Sequence, residues 1–314
     1  MEINHPSLLA EKEKTSAALS SVFAAVVLTI FKIIVGLATN SLGILAEAAH
    51  SGLDLVAALV TFIAVRILDK PADPEHHYGH GKVENFSALV ETLLLLATCV
   101  WIIYESLQRL FFKPAEIDPS FWAFLVMVVS ILVDYSRSRI LYKAAKKHNS
   151  QALEADALHF STDIWSSAVV IMGLIAVRFS QAIPSWVFLK KADAVAALVV
   201  AGIVVYVSIE LGIRTVQGLL DHAPKDLAEH IETSVEAIPG ISDCHHVRVR
   251  TSGPGLFVDL HIYVDPNQSL KDAHLLAKKA AEVVRHLAPK ADVIVHAEPN
   301  PEQNLAKEQS EPKS

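Results

Sequence analysis

The chain has 314 residues, of which 52% are hydrophobic and 19% are charged, and its formal net charge is −7. An average soluble domain is about 25% charged, so this composition indicates an integral membrane protein and excludes a wholly soluble one. The apolar excess lies almost entirely before Leu220, and the rest reads as a soluble domain. The two cysteines, Cys99 and Cys244, fall in these two different regions, which predicts that no structural disulfide forms.

Apolar stretches of 18 or more residues recur along the first two thirds of the chain, and each is long enough for a ~30 Å hydrocarbon core. They are Ala17–Leu37, Leu42–Ile67, Phe86–Leu110, Phe121–Leu141, Ala152–Phe179 and Ala192–Ile213. We therefore predict a membrane domain of six transmembrane helices over residues 17–220, after an N-terminal segment of residues 1–16. No cleaved signal peptide is expected, because no short apolar core with a small-residue cleavage site follows the N-terminus.

Basic residues predict the orientation in the membrane, since short cytoplasmic loops are enriched in lysine and arginine. Five of them cluster in the predicted loop after the fourth span: Arg137, Arg139, Lys143, Lys146 and Lys147. We expect that side to be cytoplasmic. By parity, both termini and the loop between the second and third spans lie on the same side.

Two of the predicted spans carry ionisable residues with the same spacing. His50 and Asp54 lie in the second span, and His159 and Asp163 lie in the fifth. Residues four apart share one face of a helix, and ionisable groups inside a membrane segment are functional candidates because keeping them there is costly. Four nitrogen and oxygen ligands are what a tetrahedral divalent metal site requires.

The depth of the two pairs agrees with a shared site. At 1.5 Å per residue, His50 lies about 13 Å into a span that runs inward, and His159 about 11 Å into a span that runs outward. Both pairs are thus predicted near the bilayer midplane. Glu47, one turn before His50, is a candidate for supporting a ligand or carrying a proton. Lys32 interrupts the first span, and we expect it to snorkel or to pack between helices.

After Pro224 the pattern predicts a small α+β domain over residues 221–299. Helices are expected at Leu227–Ala237 and Leu270–Leu287, and strands at His245–Arg250, Phe257–Val264 and Val293–His296, in the order α-β-β-α-β. Residues 221–314 hold 10 Lys and Arg against 15 Asp and Glu, a formal −5. This charge excludes a nucleic-acid surface. The polar, proline-containing residues 300–314 are predicted to be a disordered tail.

Further histidines lie outside the spans. The loop DKPADPEHHYGHGK offers Asp73, His76 and His80, and a histidine-rich tract of this kind either binds metal or is a solvated loop. In the soluble domain, strand alternation puts His296 and Glu298 on one strand face, whereas Cys244 and His246 are expected to point away from His245. These histidines are open to two interpretations: a metal cluster or unrelated packing.

The motifs HSGLD, LHFSTD and PADPEHHYGHGK resemble those of the cation diffusion facilitator family, most closely its bacterial zinc- and iron-efflux members. The resemblance covers residues 15 to 299. It implies six membrane helices and a cytoplasmic domain similar to a metallochaperone, or ferredoxin-like, fold. It also implies a homodimer in the bacterial inner membrane that exchanges metal cations for protons, without an organic cofactor.

The same resemblance implies roles for individual residues. They are a transport site (His50, Asp54, His159, Asp163), a loop site (Asp73, His76, His80), a cytoplasmic zinc cluster (His245, His261, His274, His296, Glu298) and an ion pair (Lys82, Asp221). The sequence departs from some relatives at His50, where close bacterial members often have Asp, and at Ala297 and Glu298.

Two imidazoles and two carboxylates suit Zn²⁺, although Co²⁺, Fe²⁺, Cd²⁺ and Mn²⁺ accept the same ligands. The sequence thus predicts zinc export by metal/proton antiport. No GxxxxGK[ST] loop is present, which argues against transport driven by ATP hydrolysis. The competing interpretations are a membrane metalloenzyme, a channel and a non-transporting metal sensor. Against an enzyme, no HExxH motif is present, and four protein ligands leave no open metal position.

Overall fold

The computed structural model describes residues 8–68, 70–111, 121–182, 192–224, 226–289 and 291–301. The chain divides into two compact units between Val216 and Gln217. Most of the predicted tail (residues 302–314) and the first seven residues of the predicted N-terminal segment lie outside the described residues.

Long helices form the first unit. They are α1 (Leu8–Thr39), α2 (Leu42–Leu68), α3 (Lys82–Phe111), α4 (Phe121–His148), α5 (Gln151–Ala182) and α6 (Ala192–Leu219). Within the described residues, four helical stretches are long and apolar enough to cross a membrane, namely Leu9–Thr39, Glu47–Leu68, Lys82–Gln108 and Leu198–Leu219. These stretches belong to α1, α2, α3 and α6, so a transmembrane position of α4 and α5 stays a prediction.

The predicted loop around Arg137–Lys147 is wrong, because α4 continues through it to His148. Residues 137–148 contain neither proline nor glycine, so nothing in them stops a helix. The break comes at Asn149, whose φ of 52° is left-handed, and the next helix starts at once. There the Ser150 hydroxyl accepts a hydrogen bond from the Leu153 amide (3.3 Å), which satisfies one of the free N–H groups of α5.

Arg137 is accordingly not a loop residue but the centre of a buried polar layer. Its guanidinium lies 3.2 Å from Asp134 Oδ1 and donates to the Ser21 hydroxyl at 3.2 and 3.3 Å. The guanidinium carbon also lies 3.4 Å from the centre of the Phe160 ring, a cation–π contact. The Ser21 hydroxyl in turn lies 3.4 Å from Asp156. The layer therefore joins α1, α4 and α5.

The second unit contains α7 (Leu227–Glu236), β1 (Ile241–Ser252), β2 (Gly255–Val264), α8 (Leu270–Leu287) and β3 (Ala291–Pro299), as the order α-β-β-α-β predicts. The sheet order is β1-β2-β3, with β1 antiparallel and β3 parallel to β2. Along β2, Val258, Leu260 and Ile262 alternate into the core, where they meet buried residues of the two helices such as Ile231 and Val284. The alternate residues of β2, His261 among them, face away from the helices.

Both cysteines are free thiols, so the prediction that they form no disulfide is confirmed. Cys244 lies in the core of the second unit. Burial raises the pKa of its thiol to about 12, which keeps the thiol protonated and unreactive at physiological pH.

Gly240 turns the chain between α7 and β1 with a φ of 102°, a conformation that only glycine adopts without strain. A Cβ atom there would also lie 3.2 Å from the two methyl carbons of Leu276. We expect Gly240→Ala to lower the free energy of unfolding of this unit by about 1–3 kcal/mol. Urea unfolding of the full chain, followed by circular dichroism, measures the change. An unchanged midpoint would mean that the turn adopts another conformation at no cost.

Candidate metal centre

The two pairs of ionisable residues in the membrane unit meet between α2 and α5. Each pair shares a helix face because its members are one turn apart. His159 Nε2 lies 3.2 Å from Asp54 Oδ1 and 3.7 Å from Asp163 Oδ2. His50 Nε2 lies 3.8 Å from Asp163 Oδ1 and 4.0 Å from Asp54 Oδ1. The structure thus brings all four predicted transport-site residues together.

These distances fit a tetrahedral metal ion. Zn²⁺ binds nitrogen and oxygen at about 2.0–2.1 Å, so two of its ligand atoms lie about 3.3 Å apart. Ligand atoms of His50, Asp54 and Asp163 all lie within 4.8 Å of one another. A contraction of up to about 1.5 Å between these atoms would bring them to the ligand spacing of such an ion.

Three of the four side chains are largely buried. The side chains of Asp54, His159 and Asp163 are 10%, 5% and 11% exposed, whereas the His50 side chain is 39% exposed. Two carboxylates would neutralise a bound dication, which lowers the cost of holding it away from water. Since His50 is the most accessible of the four, it lies at the open edge of the site within the chain.

The loop between α2 and α3 forms a second cluster. Asp73 Oδ1 lies 3.2 Å from His76 Nδ1, and Asp73 Oδ2 lies 3.4 Å from His80 Nε2. The His76 amide N–H donates to the Asp73 carboxylate at 2.7 Å and lowers its pKa. A left-handed glycine, Gly79 (φ 74°), turns the chain so that His80 returns to Asp73. The three predicted loop-site residues are therefore together, and metal binding by them stays a prediction.

Glu298 organises the cluster in the second unit. Its carboxylate lies 2.8 Å from His261 Nδ1, 3.5 Å from His296 Nε2 and 3.7 Å from His245 Nε2. The hydrogen bond from His261 and the charges of His245 and His296 lower the pKa of Glu298. The sheet register explains the meeting, because His261 pairs with His245 on one side and with His296 on the other.

The orientation predicted for His246 is wrong. A register shift between His245 and Arg248 interrupts the alternation, and His246 has a left-handed φ of 50°. A bulge of this kind turns a side chain to the other face. His246 consequently joins His245 and His261, with ligand atoms within 4.8 Å of one another. Two adjacent histidines were the signal in the sequence, but a bulge cannot be deduced from strand periodicity.

The roles predicted for His274, Lys82 and Asp221 are not tested by the structure of one chain. His274 is exposed on α8, which packs against the sheet face opposite to His261. Its place in a metal cluster stays a prediction, which the resemblance assigns to a dimer interface. Lys82 begins α3, and Asp221 (φ 57°) follows α6 in the other compact unit. The ion pair between them also stays a prediction.

Comparison with known proteins covers nearly the whole chain. Residues 18–220 match the family model described as "Cation efflux transmembrane domain", and residues 223–300 match "Cation efflux protein, cytoplasmic domain". The chain is 32% identical over 289 residues to the cation-efflux pump FieF of Serratia proteamaculans, with 90% of this chain and 92% of the relative covered. FieF of Yersinia enterocolitica is 32% identical over 287 residues, with the same coverage.

One match to a solved structure covers about a quarter of the chain. MamM-CTD 215-293 is 25% identical, and the match covers 24% of this chain and 95% of that one at a TM-score of 0.23. The family models and the two relatives give the stronger result. This chain belongs to the cation diffusion facilitator, or cation efflux, family of integral membrane proteins, whose members are transporters and not enzymes.

Proposed function

We propose that this protein exports divalent metal cations, Zn²⁺ in particular, from the cytoplasm by metal/proton antiport with alternating access. One observation carries the proposal: two imidazoles and two carboxylates from α2 and α5 converge at distances of 3.2–4.0 Å in a buried part of the membrane unit. Relatives that are 32% identical over nearly the whole chain are named cation-efflux pumps, which supports transport over a non-transporting metal sensor.

The choice of Zn²⁺ rests on the ligand set. Imidazole suits Zn²⁺ and the other late divalent metals, while carboxylate and water suit Mn²⁺. The site combines His50 and His159 with two aspartates and has the compactness of tetrahedral coordination, which Zn²⁺ adopts readily. Transport of Fe²⁺, Co²⁺, Cd²⁺ or Mn²⁺ by the same site is the alternative.

Proton coupling follows from the chemistry of the ligands. Histidine and aspartate bind metal only in their deprotonated forms, so metal and protons compete for the same atoms. Histidine titrates near physiological pH, which makes His50 and His159 suitable proton carriers. The site would load Zn²⁺ while it faces the cytoplasm and exchange it for protons while it faces outward. Rocking of the helices that carry the site would alternate the access.

The remaining features complete the proposal. All six helices of residues 17–220 would span a bacterial inner membrane with both termini in the cytoplasm. The second unit, over residues 221–299, would be a metallochaperone-like, ferredoxin-like dimerisation domain, so the transporter would be a homodimer. Its histidine cluster would bind regulatory Zn²⁺, and Lys82 with Asp221 would pass the change to α3.

Transport by the purified protein in sealed liposomes tests the function. With a zinc indicator inside and the lumen more acidic than the outside, we expect zinc uptake by transporters whose cytoplasmic side faces outward to be faster than at equal pH. The reason is that luminal protons displace the metal from its ligands. Empty liposomes are the control. Uptake that ignores the gradient would exclude antiport, and uptake equal to that of empty liposomes would exclude transport.

We expect Glu298→Gln to weaken zinc binding by the cytoplasmic cluster about tenfold, because a neutral amide replaces the carboxylate that three histidines contact. Zinc titration of the full-length variant beside Glu229→Gln, which changes an exposed glutamate of α7, measures the effect. Equal affinities in the two variants would contradict a metal role for Glu298.

A further inference from the structure

A buried lysine contacts α2 one turn from the transport site. Lys32, on α1, is only 4% exposed in its side chain. Its ammonium group donates to the Ser51 hydroxyl at 2.8 Å and to Glu47 Oε2 at 3.3 Å. The Thr29 hydroxyl, one turn earlier on α1, donates to the Ser51 carbonyl oxygen at 3.1 Å. The lysine is thus held between the helices and does not extend along lipid.

Glu47, whose carboxylate accepts the second of these hydrogen bonds, is a further potential metal ligand beside the four residues of the site. It lies three residues before His50 on α2, on the same helix face. Its side chain is 44% exposed, so it has room to change rotamer. In the structure the Glu47 carboxylate contacts the Lys32 ammonium group on α1 instead, at 3.3 Å.

We propose that Lys32 is a specificity-determining residue that holds Glu47 out of the metal site and so keeps the site four-coordinate. This inference rests on the proposed transport site. A released Glu47 would supply a third carboxylate on the side of His50. Carboxylate-rich sites with a higher coordination number suit Mn²⁺. A compact site of imidazoles and carboxylates suits Zn²⁺. The ion pair of Lys32 and Glu47 would thereby favour zinc binding without contacting the metal.

Equilibrium dialysis of the full-length protein in detergent micelles against a mixture of ZnCl₂ and MnCl₂ tests the inference, with bound metals counted by elemental analysis. Each variant is also measured with Asp54→Ala added, which removes the membrane site. The difference between the two amounts of bound metal is the amount that the membrane site binds. We expect Lys32→Met, which keeps the length of the side chain, to shift the metal bound there toward Mn²⁺ by about tenfold, the scale on which altered partners of metal ligands change affinity.

Two further variants separate this role from a merely structural one. The double variant Lys32→Met with Glu47→Gln should regain the wild-type Zn²⁺ preference, because the added ligand is gone. Ser51→Ala removes the other hydrogen bond of Lys32 without releasing Glu47, so its metal preference should equal that of the wild type.

Each outcome has one meaning. An unchanged preference in Lys32→Met, or a shift that the double variant retains, would overturn the inference and leave the transport site standing. If the wild type bound no more metal than Asp54→Ala alone, the four-residue site itself would be wrong, and the inference would fall with it.

Discussion

Replacing Asp54 by alanine is expected to reduce zinc transport at least about 100-fold, beyond the range caused by changes around a metal ligand. Asp54 Oδ1 lies 3.2 Å from His159 and 4.0 Å from His50, so its loss opens the centre of the group. The variant also leaves a dication with one carboxylate, and therefore with an uncompensated positive charge inside the membrane. Initial rates of zinc uptake in liposomes measure the effect.

The control for this experiment is a carboxylate remote from the site. Asp265 is exposed in the turn after β2, where it accepts a hydrogen bond from the Asn267 amide at 2.8 Å. Asp265→Ala should transport zinc at the wild-type rate. Size-exclusion chromatography of both variants would show whether they remain folded. If folded Asp54→Ala transported zinc as fast as Asp265→Ala, the assignment of the membrane site would be wrong.

The second large effect concerns stability. Arg137→Gln removes the buried cation that lies 3.2 Å from Asp134 and contacts both Ser21 and the Phe160 ring. The side chains of Arg137 and Asp134 are 4% and 8% exposed, so the aspartate would be left buried without its partner. Breaking a buried pair in this way costs about 3–5 kcal/mol. The unfolding midpoint of the detergent-solubilised protein should fall accordingly.

Arg139 provides the matched comparison because it lies two residues further along the same helix. It is exposed, and its guanidinium contacts the Tyr135 hydroxyl at 3.3 Å. Arg139→Gln should change the midpoint little, since exposed polar contacts contribute only about 0–1 kcal/mol. Equal midpoints for the two variants would mean that α1, α4 and α5 do not depend on the buried guanidinium.

Much of the membrane site follows from the amino-acid sequence alone, for a definite physical reason. A helix places residues four apart on one face whatever surrounds it, so His50 and Asp54, and His159 and Asp163, had to form two pairs. Ionisable groups in apolar spans are too costly to be incidental. The order α-β-β-α-β was equally accessible, because Leu270–Leu287 has helical periodicity and Phe257–Val264 alternates.

Other features depend on contacts between segments that are distant in the chain. Arg137 belongs to a cluster of basic residues that indicates a cytoplasmic loop, yet its partner Ser21 lies 116 residues away on α1. His246 faces His261 only because β1 is bulged where it pairs with β2.

Lys32 and Glu47 are likewise separated by a helix boundary, and only the packing of α1 on α2 joins them. Local periodicity encodes which face a residue occupies. The partner on that face is chosen when the helices and strands pack, because burying a charge or a polar group forces it to find one.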